Sequence, residues 1–302
     1  MLITGLSKFS TAAPKLPPTA FRYPSRVAEQ LSPIDRKEPV VWGTATDENR
    51  NFLTTYEKFG FCIVERAFSN IECDDLVRLT SRKEGSLIAE PRNDYAVKSL
   101  FAPFLSDSEQ GKYVRQIVTD RRITDKVKTI LGSDAYISQQ RLNFQAPFSG
   151  EGFNWHSDFE TWHVEDGMPQ MRALSVVLLL NDNLSCNGPL MVVPETHRQF
   201  IPCVGATPDS NWETSLRNQI YGTPPRELLT DLVHRHGIHV CEAARGSLIL
   251  FDCNLLHGSA NNITPYPRAN LFTVFNSVHN KFTDVPNPRP ENFAHRKHIF
   301  VV

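Results

Sequence analysis

Hydrophobic residues recur at helical spacing in the first part of the chain, in the segments 47–58, 69–79 and 108–131. Thr46 and Asp47 lie at the start of the first segment, and their side chains can cap free amide groups at a helix start. Ser69 can cap the second segment in the same way, and Gly132 is a stop signal after the third. Between the first two segments, residues 59–66 are apolar and β-branched. The pattern predicts helices in the three segments and a strand between the first two.

From residue 135 onward the pattern changes to short apolar runs separated by clusters of Gly, Pro, Asn and Asp. These runs are residues 136–144, 174–180, 189–193, 247–251 and 270–275. Asn187-Gly188-Pro189 is a turn signal before one of them. Such spacing is typical of an all-β sandwich or barrel. We therefore predict a mainly β fold with flanking helices, a jelly-roll barrel in which residues 21–302 form a single domain.

Residues 1–20 differ from the rest of the chain in composition. They are rich in Ser, Thr, Ala and Pro, with Lys8 and Lys15 and no acidic residue until Glu29. An organellar transit peptide has this composition, and so does a short disordered tail. We interpret the segment as a disordered N-terminal extension and leave its targeting role open.

The composition excludes several functional classes. The chain of 302 residues is 40% hydrophobic and 22% charged, which is typical of a soluble globular protein. Its net charge of -1 provides no broad basic field for nucleic acid. The apolar run 174–180 is too short to span a bilayer, so we expect no membrane partner. Six cysteines without a CxxC pair suit reduced thiols and a cytoplasmic location.

His156 and Asp158 form an H-x-D pair within the aromatic segment 153–169. If the segment is extended, alternate residues point to the same side, and the imidazole and carboxylate reach one point in space. A catalytic metal needs a third protein ligand, and His257 at the end of the apolar run 247–256 is the best candidate. Two histidines and one carboxylate form the facial triad of non-haem Fe(II) oxygenases, which leaves coordination positions open. A zinc hydrolase or a cupin-like binding protein could use the same three residues.

Arg268 follows His257 by eleven residues and begins the strand that contains Asn270 and Phe272. The three should face the same side, into the mouth of the barrel. A guanidinium there is costly unless it meets an anion, and its geometry suits a carboxylate; the alternative is a surface salt bridge. 2-Oxoglutarate fits this arrangement, with two chelating atoms on the metal and its far carboxylate on Arg268 and Ser259. One coordination position then remains for O2.

Several other histidines require an interpretation. His234, His236 and His239 form an H-x-H-x-x-H cluster, which can bind metal, but they follow an expected helix end and we interpret them as loop residues. His163 is expected to support the site beside Trp162. His197 is expected to be structural. Neither a Gly-rich phosphate loop nor a G-x-S-x-G motif is present in the sequence, which excludes the nucleotide-binding and hydrolase classes that use them.

The segment 155–169, continuing into 171–175, resembles the phytanoyl-CoA dioxygenase superfamily of Fe(II)/2-oxoglutarate-dependent oxygenases, and within it the ectoine hydroxylases. Further matching segments are Gln139 with 141–143, 187–191, 257–259, 267–268, 23–26 and 36–41. The similarity covers residues 22–295. The resemblance implies a double-stranded β-helix (jelly-roll, cupin-like) core. It also implies hydroxylation of ectoine to 5-hydroxyectoine in compatible-solute synthesis, with 2-oxoglutarate converted to succinate and CO2, and it suggests a homodimer.

The resemblance also assigns residues by position. The catalytic iron ligands are His156, Asp158 and His257. The residues that would bind 2-oxoglutarate are Arg268, Ser259, Asn143, Arg141 and Phe153. The residues expected around ectoine are Gln139, Trp162, Ser175, Phe251 and Phe272. Aromatic faces suit the delocalised cation of ectoine, and the polar side chains can fix its orientation.

The chain departs from the family pattern near the expected substrate pocket. Residues 175–180 are more apolar than expected, because a second small polar residue often lies near Val177. The amino-acid sequence of residues 140–145 also differs from the usual family pattern. The iron site is unaffected, but a related enzyme that hydroxylates another small cyclic amino acid, such as proline, remains an alternative.

Overall fold

The computed structural model describes residues 23–81, 98–148, 150–208 and 221–302. The predicted N-terminal extension, residues 1–20, lies outside the described residues. Within the described ranges we find no helix that is both long and apolar enough to cross a membrane.

Four of the six α-helices in the described chain precede the long strand β4, and the other two lie between later strands. The helices are α1 (Arg50–Phe59), α2 (Asn70–Ser81), α3 (Glu109–Val118), α4 (Arg121–Leu131), α5 (Asp158–Asp166) and α6 (Arg226–His236). The strands are β1 (Ile34–Asp35), β2 (Phe61–Val64), β3 (Lys98–Phe101), β4 (Ala135–Gln145), β5 (Phe153–His156), β6 (Ala173–Leu179), β7 (Leu190–Val192), β8 (Gln199–Phe200), β9 (His239–Val240), β10 (Leu248–Asp252), β11 (His257–Ser259) and β12 (Arg268–Ser277).

Two antiparallel sheets form the centre of the fold. One has six strands in the order β2-β10-β6-β12-β4-β3, and the other has four in the order β5-β11-β7-β9. Apolar residues from both sheets share one buried cluster, so the sheets face each other. Strands β1 and β8 form a small separate pair. The sheets are not closed into a barrel, but the predicted jelly-roll arrangement with flanking helices is confirmed.

Strand β6 shows why the apolar run 174–180 is continuous. Val176 and Leu178 belong to the large cluster that includes residues of α1 to α4. Val177 and Leu179 point to the opposite side and join the cluster between the two sheets. A strand buried on both faces carries apolar residues at every position instead of alternating them. The central position of β6 therefore explains its composition.

The helix ends agree with the sequence in part. Ser69 and Glu72 form a capping box at the start of α2, because the Ser69 amide donates to the Glu72 carboxylate (2.7 Å) and the Glu72 amide donates to the Ser69 hydroxyl (3.3 Å). The predicted start of α1 is wrong by three residues. Asn49 occupies the cap position and its side-chain oxygen accepts from the Thr46 amide (2.6 Å), so Thr46 and Asp47 lie in a turn before the helix.

The helical region 108–131 is divided into two helices. The chain leaves α3 at Thr119, and Asp120 adopts extended dihedral angles before α4. The Asp120 carboxylate accepts from the Arg122 amide (2.8 Å) and caps the second helix. Gly132 ends α4 with φ +60°, as the stop signal predicted. The periodicity of apolar residues continues across the break, so the sequence pattern did not reveal that the region contains two helices.

Candidate metal centre and its cavity

Three side chains that can bind a metal converge at the end of the four-stranded sheet. Strands β5 and β11 pair so that His156 lies opposite His257, and the two imidazole centroids are 4.2 Å apart. Asp158 Oδ1 lies 3.6 Å from His156 Nε2, and Asp158 Oδ2 lies 3.8 Å from His257 Nε2. The ligand atoms of all three residues lie within 4.8 Å of one another. The predicted grouping of these residues is therefore present.

Asp158 reaches this point by a different route from the one predicted. We expected it on a strand with His156, but β5 ends at His156 and Asp158 is the first residue of α5. Ser157 between them is extended, and the Phe159 amide donates to the Cys253 carbonyl (2.7 Å). The carboxylate therefore lies beside the imidazoles because the chain turns from strand to helix, and not through alternation along a strand.

Backbone carbonyl groups orient both imidazoles. His156 Nδ1 lies 2.8 Å from the Asn154 carbonyl oxygen, and His257 Nδ1 lies 3.0 Å from the Leu255 carbonyl oxygen. A carbonyl only accepts, so each Nδ1 carries the proton and donates. Each Nε2 then presents its lone pair toward Asp158. This is the usual support for metal-binding histidines, and it fits the residues to a divalent metal.

The charges around the three residues also suit a metal. Burial alone would raise the pKa of Asp158, but His257, His156 and Arg141 lower it well below its usual range. Burial, followed by the charge of His156, lowers the pKa of His257 to about 4. At neutral pH Asp158 is therefore a carboxylate and His257 is neutral, which are the forms that bind metal.

A cavity extends from the two histidines to two arginines. Arg268 is buried at the start of β12, and Arg141 is the neighbouring cation on β4. Within the described chain neither forms a salt bridge with a carboxylate. Burial, followed by the charge of Arg141, lowers the pKa of Arg268 to about 10, so it stays protonated at neutral pH. The alternative of a surface salt bridge for Arg268 is wrong, and this end of the cavity favours an anion.

The cavity includes six of the predicted residues besides the two histidines. It is lined by Ser99, Arg141, Asn143, Gln145, Glu151, Phe153, His156, Leu190, His257, Gly258, Ser259, Arg268 and Phe272. Sequence reasoning missed Ser99, whose hydroxyl donates to Asn143 Oδ1 (2.7 Å) and so orients the Asn143 amide. Ser99 lies opposite Asn143 because β3 pairs with β4. Only that pairing, and no local motif, could have identified it.

Gln139, Trp162, Ser175 and Phe251 do not line this cavity, and three of them lie near the metal-binding residues. The Ser175 hydroxyl donates to Asp158 Oδ2 (3.3 Å). The Phe251 ring centroid is 4.8 Å from that of His257. Trp162 is buried one helical turn after Asp158.

Gln139 lies on the same side of β4 as Arg141 and Asn143, because alternate residues of a strand share a face. It pairs with Val274, whereas Gln145 pairs with Arg268, so Gln139 is at the end of the row away from Arg268. The structure thus separates the predicted substrate residue Gln139 from the anion end of the site.

Asn270 lies between Arg268 and Phe272 on the same face of β12. Its side chain is 1% exposed, and neither amide atom has a hydrogen-bond partner within the described part of the chain. A buried amide without a partner is costly, which makes Asn270 a candidate for a polar contact in the space between the two sheets. The sequence predicted its direction but assigned it no role.

The remaining histidines lie away from the metal-binding group. The interpretation of the H-x-H-x-x-H cluster as loop residues is wrong, because His234 and His236 lie in the last turn of α6 and His239 lies on β9. In the described ranges, His156, Asp158 and His257 are the one group that converges as metal ligands. His163 Nδ1 bonds to the Met168 carbonyl (2.8 Å), and its ring stacks on Phe159.

Comparison with known proteins agrees with this geometry. The phytanoyl-CoA dioxygenase (PhyH) family model matches residues 56–270. An ectoine dioxygenase of Nocardia farcinica is 43% identical over 285 residues, covering 91% of this chain and 93% of the relative. The crystal structure of EctD from S. alaskensis with 2-oxoglutarate and 5-hydroxyectoine has 37% identity and a TM-score of 0.77, covering 91% of this chain and 94% of that one. EctD from S. alaskensis with bound Fe gives a TM-score of 0.76 at 36% identity, with 91% and 94% of the two chains covered. The chain therefore belongs to the phytanoyl-CoA dioxygenase (PhyH) family.

Proposed function

We propose that this chain is an Fe(II)- and 2-oxoglutarate-dependent dioxygenase that hydroxylates ectoine to 5-hydroxyectoine and releases succinate and CO2. The observation that carries the proposal is the group of His156, Asp158 and His257 beside Arg268, a buried cation without a carboxylate partner in the described chain. The names of the relatives support the same reaction, since the N. farcinica relative is an ectoine dioxygenase. The S. alaskensis structure with 2-oxoglutarate and 5-hydroxyectoine supports the cosubstrate and the product.

His156 Nε2, His257 Nε2 and an Asp158 carboxylate oxygen would hold the iron. Bound Fe(II) supplies O2 activation and the oxidation of a C–H bond, coupled to the decarboxylation of 2-oxoglutarate. Ser175 donates to the Asp158 oxygen that faces His257, and so keeps the carboxylate turned toward the two imidazoles. The protein therefore controls the geometry around the metal, while the metal provides the oxidative chemistry.

Arg268 would bind the far carboxylate of 2-oxoglutarate, with the Ser259 hydroxyl beside it. The Asn143 amide is turned by Ser99 so that its N–H groups are available to donate. The Arg141 guanidinium lies over the Phe272 and Phe153 rings, at 5.1 and 5.9 Å from their centroids. These ring contacts place a second cation, Arg141, at the same end of the cavity as Arg268. Arg141 has no carboxylate partner in the described chain.

The aromatic residues Trp162, Phe251 and Phe272 would surround the cationic ring of ectoine, while Gln139 would bind its polar groups. Cation–π contacts of this kind contribute about 0.5–2 kcal/mol each, depending on desolvation. Asn270, with its unpartnered buried amide, is a further candidate for a polar contact in the same space. Orientation of the ring matters because one particular C–H bond must face the metal.

We also propose that the enzyme acts in the cytoplasm, in the synthesis of a compatible solute for osmoprotection. Five of the six cysteines are buried as free thiols, which supports a reducing compartment. The homodimer suggested by the family resemblance remains a prediction, which light scattering of the purified protein would test.

The proposed reaction is tested by incubating the protein with Fe(II), 2-oxoglutarate and ectoine, proline, phytanoyl-CoA or no substrate. We expect succinate release with ectoine, together with a product heavier by one oxygen atom. Asp158→Ala should abolish both, whereas His234→Ala, at an exposed histidine on α6, should behave as the wild type. A hydroxylated product with proline and none with ectoine would assign another substrate. Turnover that persists in Asp158→Ala would contradict the metal site.

A further inference from the structure

Helix α5 differs from an ordinary surface helix, because it is buried on nearly all sides. Seven of its nine residues are buried, among them Glu160, Glu165 and Asp166. A helix at a protein surface normally turns its charged residues to water. Here the acidic side chains are held in the interior, where each requires a cation or several hydrogen bonds. The same helix begins with Asp158 and carries Trp162.

Arg26, from the segment before β1, provides the cation for two of these acids. Its Nε and Nη2 donate to the two carboxylate oxygens of Glu160 at 2.7 and 2.8 Å. Its Nη2 also lies 3.2 Å from Glu165 Oε1. The exposed fractions of the three side chains are 3%, 1% and 6%. The Ser25 hydroxyl adds a further hydrogen bond to Glu160 (2.6 Å). This arrangement is a bidentate ion pair closed off from solvent.

The backbone around Arg26 is constrained to make this contact. Arg26 has φ +58°, in the left-handed region that side chains other than glycine rarely adopt. Its amide donates to the Cys203 carbonyl (2.8 Å), which ties the segment to the chain that follows β8. The backbone of Gly222 covers the ion pair so closely that a Cβ there would lie 2.3 Å from Glu160 Oε2. Strain of this kind persists only where the surroundings determine the conformation.

A buried ion pair contributes little to stability compared with apolar residues of the same volume, because desolvation offsets the attraction. A geometric role accounts better for its presence on this helix. Glu160 is two residues after Asp158, so the two side chains are about 200° apart around the helix axis. Arg26 therefore holds the helix from the side opposite the metal-binding carboxylate.

We propose that Arg26 is a positioning residue for the metal centre. By binding Glu160 and Glu165 it fixes the rotation of α5, and thereby holds the Asp158 carboxylate against the two imidazoles and sets the direction of Trp162 one turn further along the helix. The inference rests on the proposed function for its link to turnover. Its effect on metal binding follows from the geometry of α5 alone.

The test compares Arg26→Gln, Arg26→Lys and Arg122→Gln. Arg122 is a matched control, because it pairs with Glu72 and Asp120 on the outer helices, away from α5. Anaerobic titration with Fe(II) in the presence of 2-oxoglutarate measures the metal dissociation constant through the charge-transfer band. Loss of a residue that orients a metal ligand typically weakens binding about tenfold to a hundredfold, and we expect this for Arg26→Gln. Arg26→Lys should be intermediate, since it keeps the charge but not the bidentate contact.

A second readout is the ratio of hydroxylated product to succinate, measured at a temperature well below the midpoint of thermal unfolding. We expect Arg26→Gln to lower the ratio, because succinate forms while the substrate is misaligned. Arg122→Gln should lower the midpoint of unfolding and leave both the ratio and the metal affinity unchanged. The proposal would be overturned if Arg26→Gln lowered the midpoint of unfolding but left the metal affinity and the product ratio unchanged.

If Arg26→Gln does not fold, the triple variant Arg26→Gln/Glu160→Gln/Glu165→Gln, a neutral set that replaces the cation and both of its buried acids, decides the question. Weakened Fe(II) binding in a folded triple variant supports positioning, and wild-type binding refutes it. The metal titration requires no ectoine. A wild-type protein that binds Fe(II) but does not hydroxylate ectoine would therefore contradict the proposed function, and the comparison of Arg26 variants would still stand.

Discussion

Two guanidinium groups, those of Arg141 and Arg268, lie at one end of the cavity without a salt bridge in the described chain. At the residue scale this is what distinguishes the cavity from an ordinary polar cleft. A buried charge is tolerated when its partner arrives with a ligand, and a dianion satisfies that need better than water. The spacing of Arg268 after His257 predicted the first cation. The family resemblance assigned the second cation, Arg141, to the same end of the site. Ser99 and its bond to Asn143 depend on strand pairing.

Arg268→Gln is expected to weaken 2-oxoglutarate binding, because it removes the cation that faces the far carboxylate. Truncating one partner of a buried charge pair costs about 2–5 kcal/mol, which corresponds to a loss of about 30-fold or more. Anaerobic titration of 2-oxoglutarate into the Fe(II)-loaded protein measures the dissociation constant. Arg198→Gln is the control, since Arg198 bonds to the Glu57 carbonyl at the surface. Equal affinities for the Arg268 variant and the wild type would show that the carboxylate binds elsewhere.

His197 is buried beside Gly60, and burial lowers its pKa to about 4. Between the ordinary value of 6.5 and pH 4 the unfolded chain binds a proton that the folded chain does not. The free energy of unfolding should therefore decrease as the pH falls through this window, by at most about 1.4 kcal/mol per pH unit from this group. His197→Gln, which has no titrating group, should flatten the profile in urea denaturation. A profile with the wild-type slope would assign the acid sensitivity to other residues.

At the scale of elements, the transition from β5 to α5 determines the site. The apolar pattern predicted each of the main strands, and the H-x-D spacing predicted which side chains converge. The helix at Asp158 was missed, because α5 is buried on nearly every side and carries no amphipathic pattern for sequence reasoning to find. Ser157 also makes no side-chain cap that could mark its start.

The end of α1 supports a second prediction at this scale. Gly60 has φ +81°, and a Cβ there would lie 2.5 Å from the His197 ring. Gly205 has φ +94°, but no atom of the described residues lies within 4 Å of its Cβ position. Both Ala variants should lose about 1 kcal/mol from the strained backbone, and Gly60→Ala should lose clearly more because the buried ring must move. Chemical denaturation measures both. Equal losses would show that His197 moves without cost.

At the scale of the whole molecule, the C-terminal residues complete the six-stranded sheet. Strand β4 pairs with β3 through residues 141–144, which leaves its first residues without that neighbour. The C-terminal residues cover them, since the Ile137 amide donates to the Phe300 carbonyl (3.1 Å) and the Val302 amide donates to the Ala135 carbonyl (2.8 Å). Residues 300–302 therefore extend the hydrogen bonding of the sheet beyond β3.

Deletion of residues 300–302 should lower the free energy of unfolding by about 1–3 kcal/mol, because two backbone hydrogen bonds are lost at the edge of the core. The loss of the Phe300 ring, which packs against Phe104 at 5.8 Å, adds to this. Urea denaturation measures the change, and Phe300→Ala separates the effect of the ring from that of the backbone. A deletion variant as stable as the wild type would mean that water replaces the two backbone hydrogen bonds of residues 300–302 at no cost.

The amino-acid sequence by itself determined the features that are local. Short apolar runs marked the main strands, Ser69 and Gly132 marked helix ends, and the positions of His156, Asp158, His257 and Arg268 predicted a metal site and an anion site. The strands, the helix ends and the H-x-D pair are readable because their residues lie a few positions apart or repeat with the period of the element. His257 and Arg268 lie far from that pair in the chain, and they were found because a metal site needs a third ligand and a buried cation needs an anion.

Only the tertiary structure decided the contacts between distant segments. Arg26 reaches Glu160 across more than a hundred residues, Ser99 reaches Asn143 through strand pairing, and Asn270 has no hydrogen-bond partner among the described residues. Such contacts depend on how the sheets and termini fold back on one another. The same physical rule, that a buried polar group requires a partner, could be applied to these residues only once their surroundings were known.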